Sequence, residues 1–282
     1  SILDEYKKTL QETSFLFPIG SFKAIKYLRA LSNNNLLILS TDKGYNTVES
    51  LDHLSHPTIS FHGSFSMMVN FHAIKEYFKN IGGDAVLQQS RKGIKTSVFA
   101  SGFKLSDSPQ LAVAIEEHVE GFSPGDYFVL HTRMSEAFQE CSVATLAAHM
   151  QLALWDPHMY LKLSNYIVSK IDQEDYETIQ FLAHNMDKMA KNYYYMPSTQ
   201  CVLFDIGIFF HAIKEYQKAA QYYLQAKPYI GEQFSLYYNL ALCQHHIGDN
   251  IDALEHFKKA LELDPSSNET EQWINYLQKE KD

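Results

Sequence analysis

The chain has 282 residues, 45% of them hydrophobic, with 18 Tyr, 18 Phe and a formal net charge of −9. That is enough apolar material for two packed domains, and it excludes a disordered chain. The acidic balance argues against a dedicated nucleic-acid or anionic-membrane binder, because phosphate binding needs a surplus of Lys and Arg. No apolar run reaches the roughly 18–20 residues that cross a bilayer. The first residues lack the charged and apolar regions of a secretory signal, so a cytoplasmic setting is expected. Cys141, Cys201 and Cys243 are odd in number and outside CxxC spacing, and read as free thiols of a reducing compartment. The histidines include no HExxH and no spaced Cys/His set, so no metal is expected. Adjacent His245 and His246 project about 100° apart on a helix and cannot chelate one ion together.

In chain order, the spacing of Ile25, Leu28 and Arg29 predicts an amphipathic helix over 22–31. The run Leu36-Leu37-Ile38-Leu39-Ser40 predicts a buried parallel strand. Thr41-Asp42-Lys43-Gly44-Tyr45 follows as a polar turn at that strand's C-terminal end, the edge where open α/β sheets bind ligands. A long histidine-containing stretch over 57–72 reads as a loop. A helix over 71–80 then stops at Gly82-Gly83. Segments 85–89 and 95–101 flank Ser90-Arg91-Lys92-Gly93-Ile94 and predict a hairpin. Within this stretch Asp42 and Gly44 fit a plain turn with Tyr45 packed on it, and Asn70 fits a helix cap.

The segment Phe15-Leu16-Phe17-Pro18-Ile19-Gly20, the strand ending in Asp42-Lys43-Gly44-Tyr45, and Met68-Val69-Asn70-Phe71-His72 together resemble a known family. They are similar to the later half of S-adenosylmethionine (SAM)-dependent methyltransferases of the MidA-like group, related to a mitochondrial complex I assembly methyltransferase. That group has an Asp-Tyr-Gly turn and a Val-Asp-Phe element, so the match is partial. The resemblance implies that residues 1–105 form the second half of a Rossmann-like sheet. It implies that Asp42, Tyr45 and Asn70 border a methyl-transfer cleft, and that Gly44, His62 and Phe71 belong to its substrate loop. SAM would be the cofactor of the intact parent. No Gly-x-Gly follows an apolar strand, so no SAM is expected to bind this chain. The chain then reads as a C-terminal part or degenerate relative, with an open sheet edge.

Residues 106–155 are expected to be connecting helices. Ser108-Pro109 and Ser123-Pro124 each pair a cap with a first-turn proline. After Ser142, the stripe Val143, Leu146, Ala147, Met150 and Leu154 reads as core. Asp156-Pro157 opens a helical bridge over 156–199, with helices near 157–170 and 174–192 expected to pair. From residue 200 the chain repeats at 34. Ile206-Gly207 falls opposite Leu240-Ala241, Ala219 opposite Ala253, Tyr223 opposite Phe257, and Ala226 opposite Ala260. This pattern resembles the tetratricopeptide repeat (TPR) family, in which small residues admit a neighbouring helix and an aromatic fills the gap. Lys214 stands where the second copy has Gly248. Residues 270–281, with Trp273, Ile274 and Leu277 on one face, read as a capping helix that closes 200–282.

The resemblance implies a groove lined by Phe204, Ile208, His211, Tyr238, Leu242 and His245 that takes a protein or peptide. The same residues also fit packing against preceding helices of this chain. The expected fold is therefore a partial Rossmann-like α/β sheet followed by an all-α TPR array. The expected function is a TPR interaction region joined to the later part of a methyltransferase acting on a protein. The alternative is a non-catalytic TPR scaffold with a degenerate α/β domain.

Overall fold

Strand β1 (Leu36–Tyr45) is twice as long as the apolar run that announces it. The computed structural model describes residues 1–57, 59–61, 63–89, 93–197 and 199–279, in two units, 1–132 and 133–282. In the first unit, helices α1 (Ile2–Thr9) and α2 (Ile19–Leu31) precede β1. The strand is not the buried parallel one expected. It pairs antiparallel with β6 (Ile94–Ser101), from Leu36 opposite Ser101 to Lys43 opposite Ile94. Its parallel pairing is confined to Gly44 and Tyr45, opposite Val69 and Asn70 of β4 (Val69–Asn70). β5 (Asp84–Leu87) lies on the far side of β6, also antiparallel, giving the order β4-β1-β6-β5.

The run also alternates. Leu37 and Leu39 are 46% and 68% exposed, whereas Leu36 and Ile38 pack on Ile25, Phe71 and Phe99. A strand with one covered face alternates in burial even when every residue is apolar, because successive side chains point to opposite faces. The polar turn expected at Thr41–Tyr45 is likewise strand, held by the pairing of Thr41, Asp42 and Lys43 with Thr96, Lys95 and Ile94. Residues 36–43 have no second strand neighbour among the described residues.

Helix α3 (Phe71–Asn80) starts where predicted and lays Phe71, Ile74 and Phe78 on the sheet. It ends at Gly82, whose φ of +77° suits a residue without Cβ. The stretch expected as a loop contains a two-stranded sheet, β2 (Ile59–Phe61) against β3 (Phe65–Met67). The other face of β6 packs Val98 and Ala100 on Leu105, Ile115 and Val119, near α4 (Pro109–Ile115). Helix α5 (Pro124–Ser135) begins at Ser123, whose backbone N–H and hydroxyl both donate to Asp126 at 2.9 Å.

The second unit is helical: α6 (Val143–Leu152), α7 (Pro157–Val168), α8 (Tyr176–Lys191), α9 (Val202–Ala212), α10 (Tyr216–Ile230), α11 (Phe234–His246), α12 (Asn250–Leu263) and α13 (Asn268–Lys279). Ser142, Asp156 and Asp175 each accept a backbone N–H at the start of a helix, as small polar caps do. Val143, Leu146, Ala147 and Met150 are buried, but Leu154 is 87% exposed. It lies beyond the end of α6 with φ +52°, off the helical stripe it was assigned to. α7 and α8 both pack on α9. α9 with α10, and α11 with α12, are the two helix hairpins of the 34-residue period. A Cβ on Gly207 would lie 2.6 Å from the Tyr223 ring. Its counterpart Ala241 is fully buried in one cluster with Phe257. Small against aromatic is thus the contact that both hairpins share. At the turn of the first, Lys214 holds φ +63° where Gly248 holds +87° in the second. No described helix is long and apolar enough to cross a membrane.

Candidate functional site: one face of the helical repeats

The residues assigned to a methyl-transfer cleft serve the local architecture of the first unit. Asp42 is exposed on β1 and accepts the Lys43 backbone N–H at 2.7 Å. Gly44 is required by close approach: a Cβ there would lie 2.5 Å from the Val69 carbonyl and 2.6 Å from the Phe71 ring. The buried Lys95 donates to the Gly44 carbonyl at 2.9 Å. Tyr45 packs with Tyr6, Leu51 and Ala73 beside a recess of ≈ 10 Å³. Asn70 is 2% exposed and caps α3, its Oδ1 accepting from Ala73 N–H at 2.9 Å and from the Tyr6 hydroxyl at 3.4 Å. That hydroxyl also lies 2.8 Å from His72 Nδ1, and burial pushes the Tyr6 phenol up to about 12. Phe71, expected on a loop over substrate, is 1% exposed and stacks on Phe99 in the core. His62 lies outside the described residues.

In the helical unit, the six predicted groove residues are all half-buried, in rows spaced four and three residues apart on α9 and α11. Their neighbours differ. On α11, Tyr238 donates its hydroxyl to Glu269, Leu242 joins Trp273 in one cluster, and the His245 ring sits 5.0 Å from that of Trp273. Glu269 and Trp273 belong to α13, so the helix that follows, and not a preceding one, occupies this half of the face. On α9, Phe204 leans on Tyr223 at 5.3 Å. His211 lies 3.8 Å from the Cys243 sulfur through Nδ1, and burial lowers its pKa. Cys243 itself is pushed up to about 12 by burial, which keeps its thiol protonated and unreactive. Phe204, Ile208 and His211 are the part of the face that α13 leaves uncovered.

A pocket of ≈ 440 Å³ opens beside Phe204, lined also by Tyr195, Gln200, Asp205, Tyr229 and Gln233. Asp205, on the first turn of α9, is 7% exposed. Its carboxylate accepts from Ser164 Oγ at 3.2 Å and from Gln200 Nε2 at 3.0 Å. Tyr160, fully buried on α7, donates to the Asp205 carbonyl at 3.3 Å. Burial raises the Asp205 pKa, and the two hydrogen bonds oppose that rise only in part. Tyr195 and Tyr229 both line the pocket, rings 4.6 Å apart. Among the described residues, no group of three or more His, Cys, Asp and Glu side chains is placed to hold a metal ion.

The raised Asp205 pKa carries a sign that can be checked. A carboxylate whose folded pKa exceeds its unfolded value destabilises the fold once pH passes the unfolded value, near 4. Below that pH it is protonated in both states and the penalty vanishes. Tyr160 and Cys201 beside it are pushed upward by burial, so they stay neutral over this range. Asp205→Asn is therefore expected to melt above wild type at pH 7 and together with it near pH 3. A deficit that does not vary with pH would contradict this.

Residues 234–267 match the tetratricopeptide repeat family. The match covers α11, α12 and the turn after them, the second of the two hairpins. Among solved structures, the chain is similar to MamA from Desulfovibrio magneticus RS-1, at 19% identity and a TM-score of 0.44, over 55% of this chain and 86% of that one. It is similar to YrrB, described as a TPR protein with an unusual peptide-binding site, at 17% identity and a TM-score of 0.42, over 60% and 82%. The second TPR domain of human RPAP3, solved with an HSP70 peptide, gives 13% identity and a TM-score of 0.34, over 44% and 98%. No curated protein matches the chain.

The pocket was missed by sequence reasoning, although α9 carried one signal. Asp205 is the single charged residue in the otherwise apolar stretch Val202-Leu203-Phe204-Asp205-Ile206-Gly207-Ile208-Phe209-Phe210. A lone acid in such a stretch must be satisfied internally or by a ligand.

Proposed function

We propose that the helical unit is a protein-interaction module that holds a polypeptide on the α9 face. The observation that carries this is the half-buried row Phe204, Ile208 and His211, which α13 does not cover, on a hairpin that repeats the small-against-aromatic contact of its family-matched neighbour. Stacked helix hairpins bury their shared core between repeats and leave one face of the array for partners. Replacing Phe204 and Ile208 by Ala together is expected to reduce capture of polypeptides from a cell lysate at least tenfold, with the helical content unchanged. Full capture by the double variant would remove this face from consideration.

We further propose that the α/β unit is the later part of a methyltransferase-type domain, whose intact parent uses SAM to methylate a protein delivered by the helical module in the reducing cytoplasm. The support is topological: β6, the last strand among the described residues, runs antiparallel between β1 and β5, as the final strand of such a sheet does. In that reading the cofactor half pairs along residues 36–43 of β1. Asp42 and Tyr45 then border the cleft, and the protein's contribution is positioning for in-line displacement. Titration of this chain with SAM is expected to give no detectable binding, and tight binding would overturn the assignment. The competing reading, a scaffold with a non-catalytic α/β unit, draws on the structural duties of Asn70 and Phe71, which caps a helix and fills the core.

A further inference from the structure

The pocket beside Phe204 joins two features that seldom meet without a ligand to suit both. One lining residue is Asp205, 7% exposed, whose carboxylate is hydrogen-bonded to Ser164 and Gln200, both neutral. The pocket is lined also by the aromatic residues Tyr195, Phe204 and Tyr229. Among the described residues, no Lys or Arg lines it and none pairs with Asp205. A buried carboxylate is costly without a positive partner, and aromatic faces attract cations through the ring quadrupole. Both features ask for the same thing: a cation with an apolar stem.

The wider field agrees. Residues 133–282 carry 20 acidic and 12 basic side chains, whereas residues 1–132 carry 13 and 12. Almost all of the chain's negative charge therefore sits in the helical unit, where it draws positive segments towards the surface.

The form of the cation follows from the carboxylate's free positions. Each Asp205 oxygen already accepts one hydrogen bond. A lone pair remains on each, and an ammonium, a compact charge on a flexible apolar four-carbon stem, meets one of them while its stem lies along the rings. We propose that this pocket receives one lysine side chain of the polypeptide held on the α9 face. The ammonium meets the Asp205 carboxylate, and the methylene stem lies among Tyr195, Phe204 and Tyr229. A volume of ≈ 440 Å³ accommodates that side chain together with water. The proposal rests on the reading of α9 as a partner face and names what that face selects.

The test uses the whole chain, isotope-labelled, titrated with Nα-acetyl-lysine-N-methylamide and with its neutral counterpart Nα-acetyl-norleucine-N-methylamide. The lysine probe is expected to shift the amide resonances of Gln200, Asp205 and Tyr229 to saturation, with the norleucine probe at least tenfold weaker. Asp205→Asn should weaken the lysine probe at least tenfold and leave the norleucine probe unchanged. Tyr229→Leu, at a residue 44% exposed, should weaken the lysine probe about two- to fivefold through the lost ring. Equal binding of the two probes, no shift with lysine, or undiminished lysine binding by Asp205→Asn would overturn the proposal. Should Asp205→Asn fail to fold, undiminished lysine binding by Tyr229→Leu overturns it. If the lysine probe fails while Phe204→Ala with Ile208→Ala still abolishes polypeptide capture, the pocket assignment alone falls. If capture survives that pair, the partner face falls with it.

Discussion

Replacing Phe257 by Ala is expected to lower the stability of the helical unit by about 3–5 kcal/mol. The ring is fully buried in one cluster with Ala241, Ala253, Leu254, Ile274 and Leu277. It stacks on Trp273 at 5.5 Å with planes 6° apart, and Tyr238 meets it edge-on at 5.7 Å. Besides Ala253 and Leu254 of its own α12, those neighbours belong to two other helices: α11 supplies Ala241 and Tyr238, and α13 supplies Trp273, Ile274 and Leu277. Rigid helices cannot collapse into the space a phenyl ring leaves, so the transfer and cavity costs add. Urea unfolding followed by tryptophan fluorescence measures it, because Trp273 loses its stacking partner in the same step. Leu263→Ala, at a residue 40% exposed on the same helix, is the comparison and should change stability by less than about 1 kcal/mol. A Phe257 loss no larger than that would mean that the small-against-aromatic contact does not hold the repeats together.

Gly44→Val is expected to cost the first unit about 3 kcal/mol or more. The obstacle is backbone: an added Cβ would sit 2.5 Å from the Val69 carbonyl, with the Phe71 ring at 2.6 Å behind it. Val69 cannot retreat without breaking the pairing of β1 with β4, and Phe71 cannot move without leaving the core and the start of α3. Faster amide exchange over 36–45 and 94–101 would register the loss, since β1 and β6 share one ladder. Gly20→Ala is the control, because an added Cβ there meets nothing within 4 Å. Unchanged protection in Gly44→Val would show that β4 is not held against β1 as described.

These two variants also mark what could be read in advance. The repeats were legible because Gly207 with Tyr223, and Ala241 with Phe257, recur at one period, and each pair lies close along the chain. The start of α3 at Asn70 was legible for a similar reason, since a cap acts on residues three positions away. β1 was harder. Five apolar residues look the same whether a strand is covered on both faces or on one. Its antiparallel partner, β6, lies more than fifty positions downstream. The groove was half-legible: the spacing of Tyr238, Leu242 and His245 places them on one face, but not that α13 folds back onto them. The pocket was illegible for want of locality. Ser164 reaches Asp205 from α7, and Tyr229 comes from the far end of α10; nothing in either segment announces the meeting.

The partner face on α9 is tested most directly by placing a photo-crosslinking amino acid at Ile208 and, in a second variant, at Glu255, an exposed position on α12. Irradiation in a cell lysate should join a polypeptide to the chain at position 208 and leave position 255 unreacted. Equal crosslinking at both positions, or none at 208, would contradict a partner seated on α9.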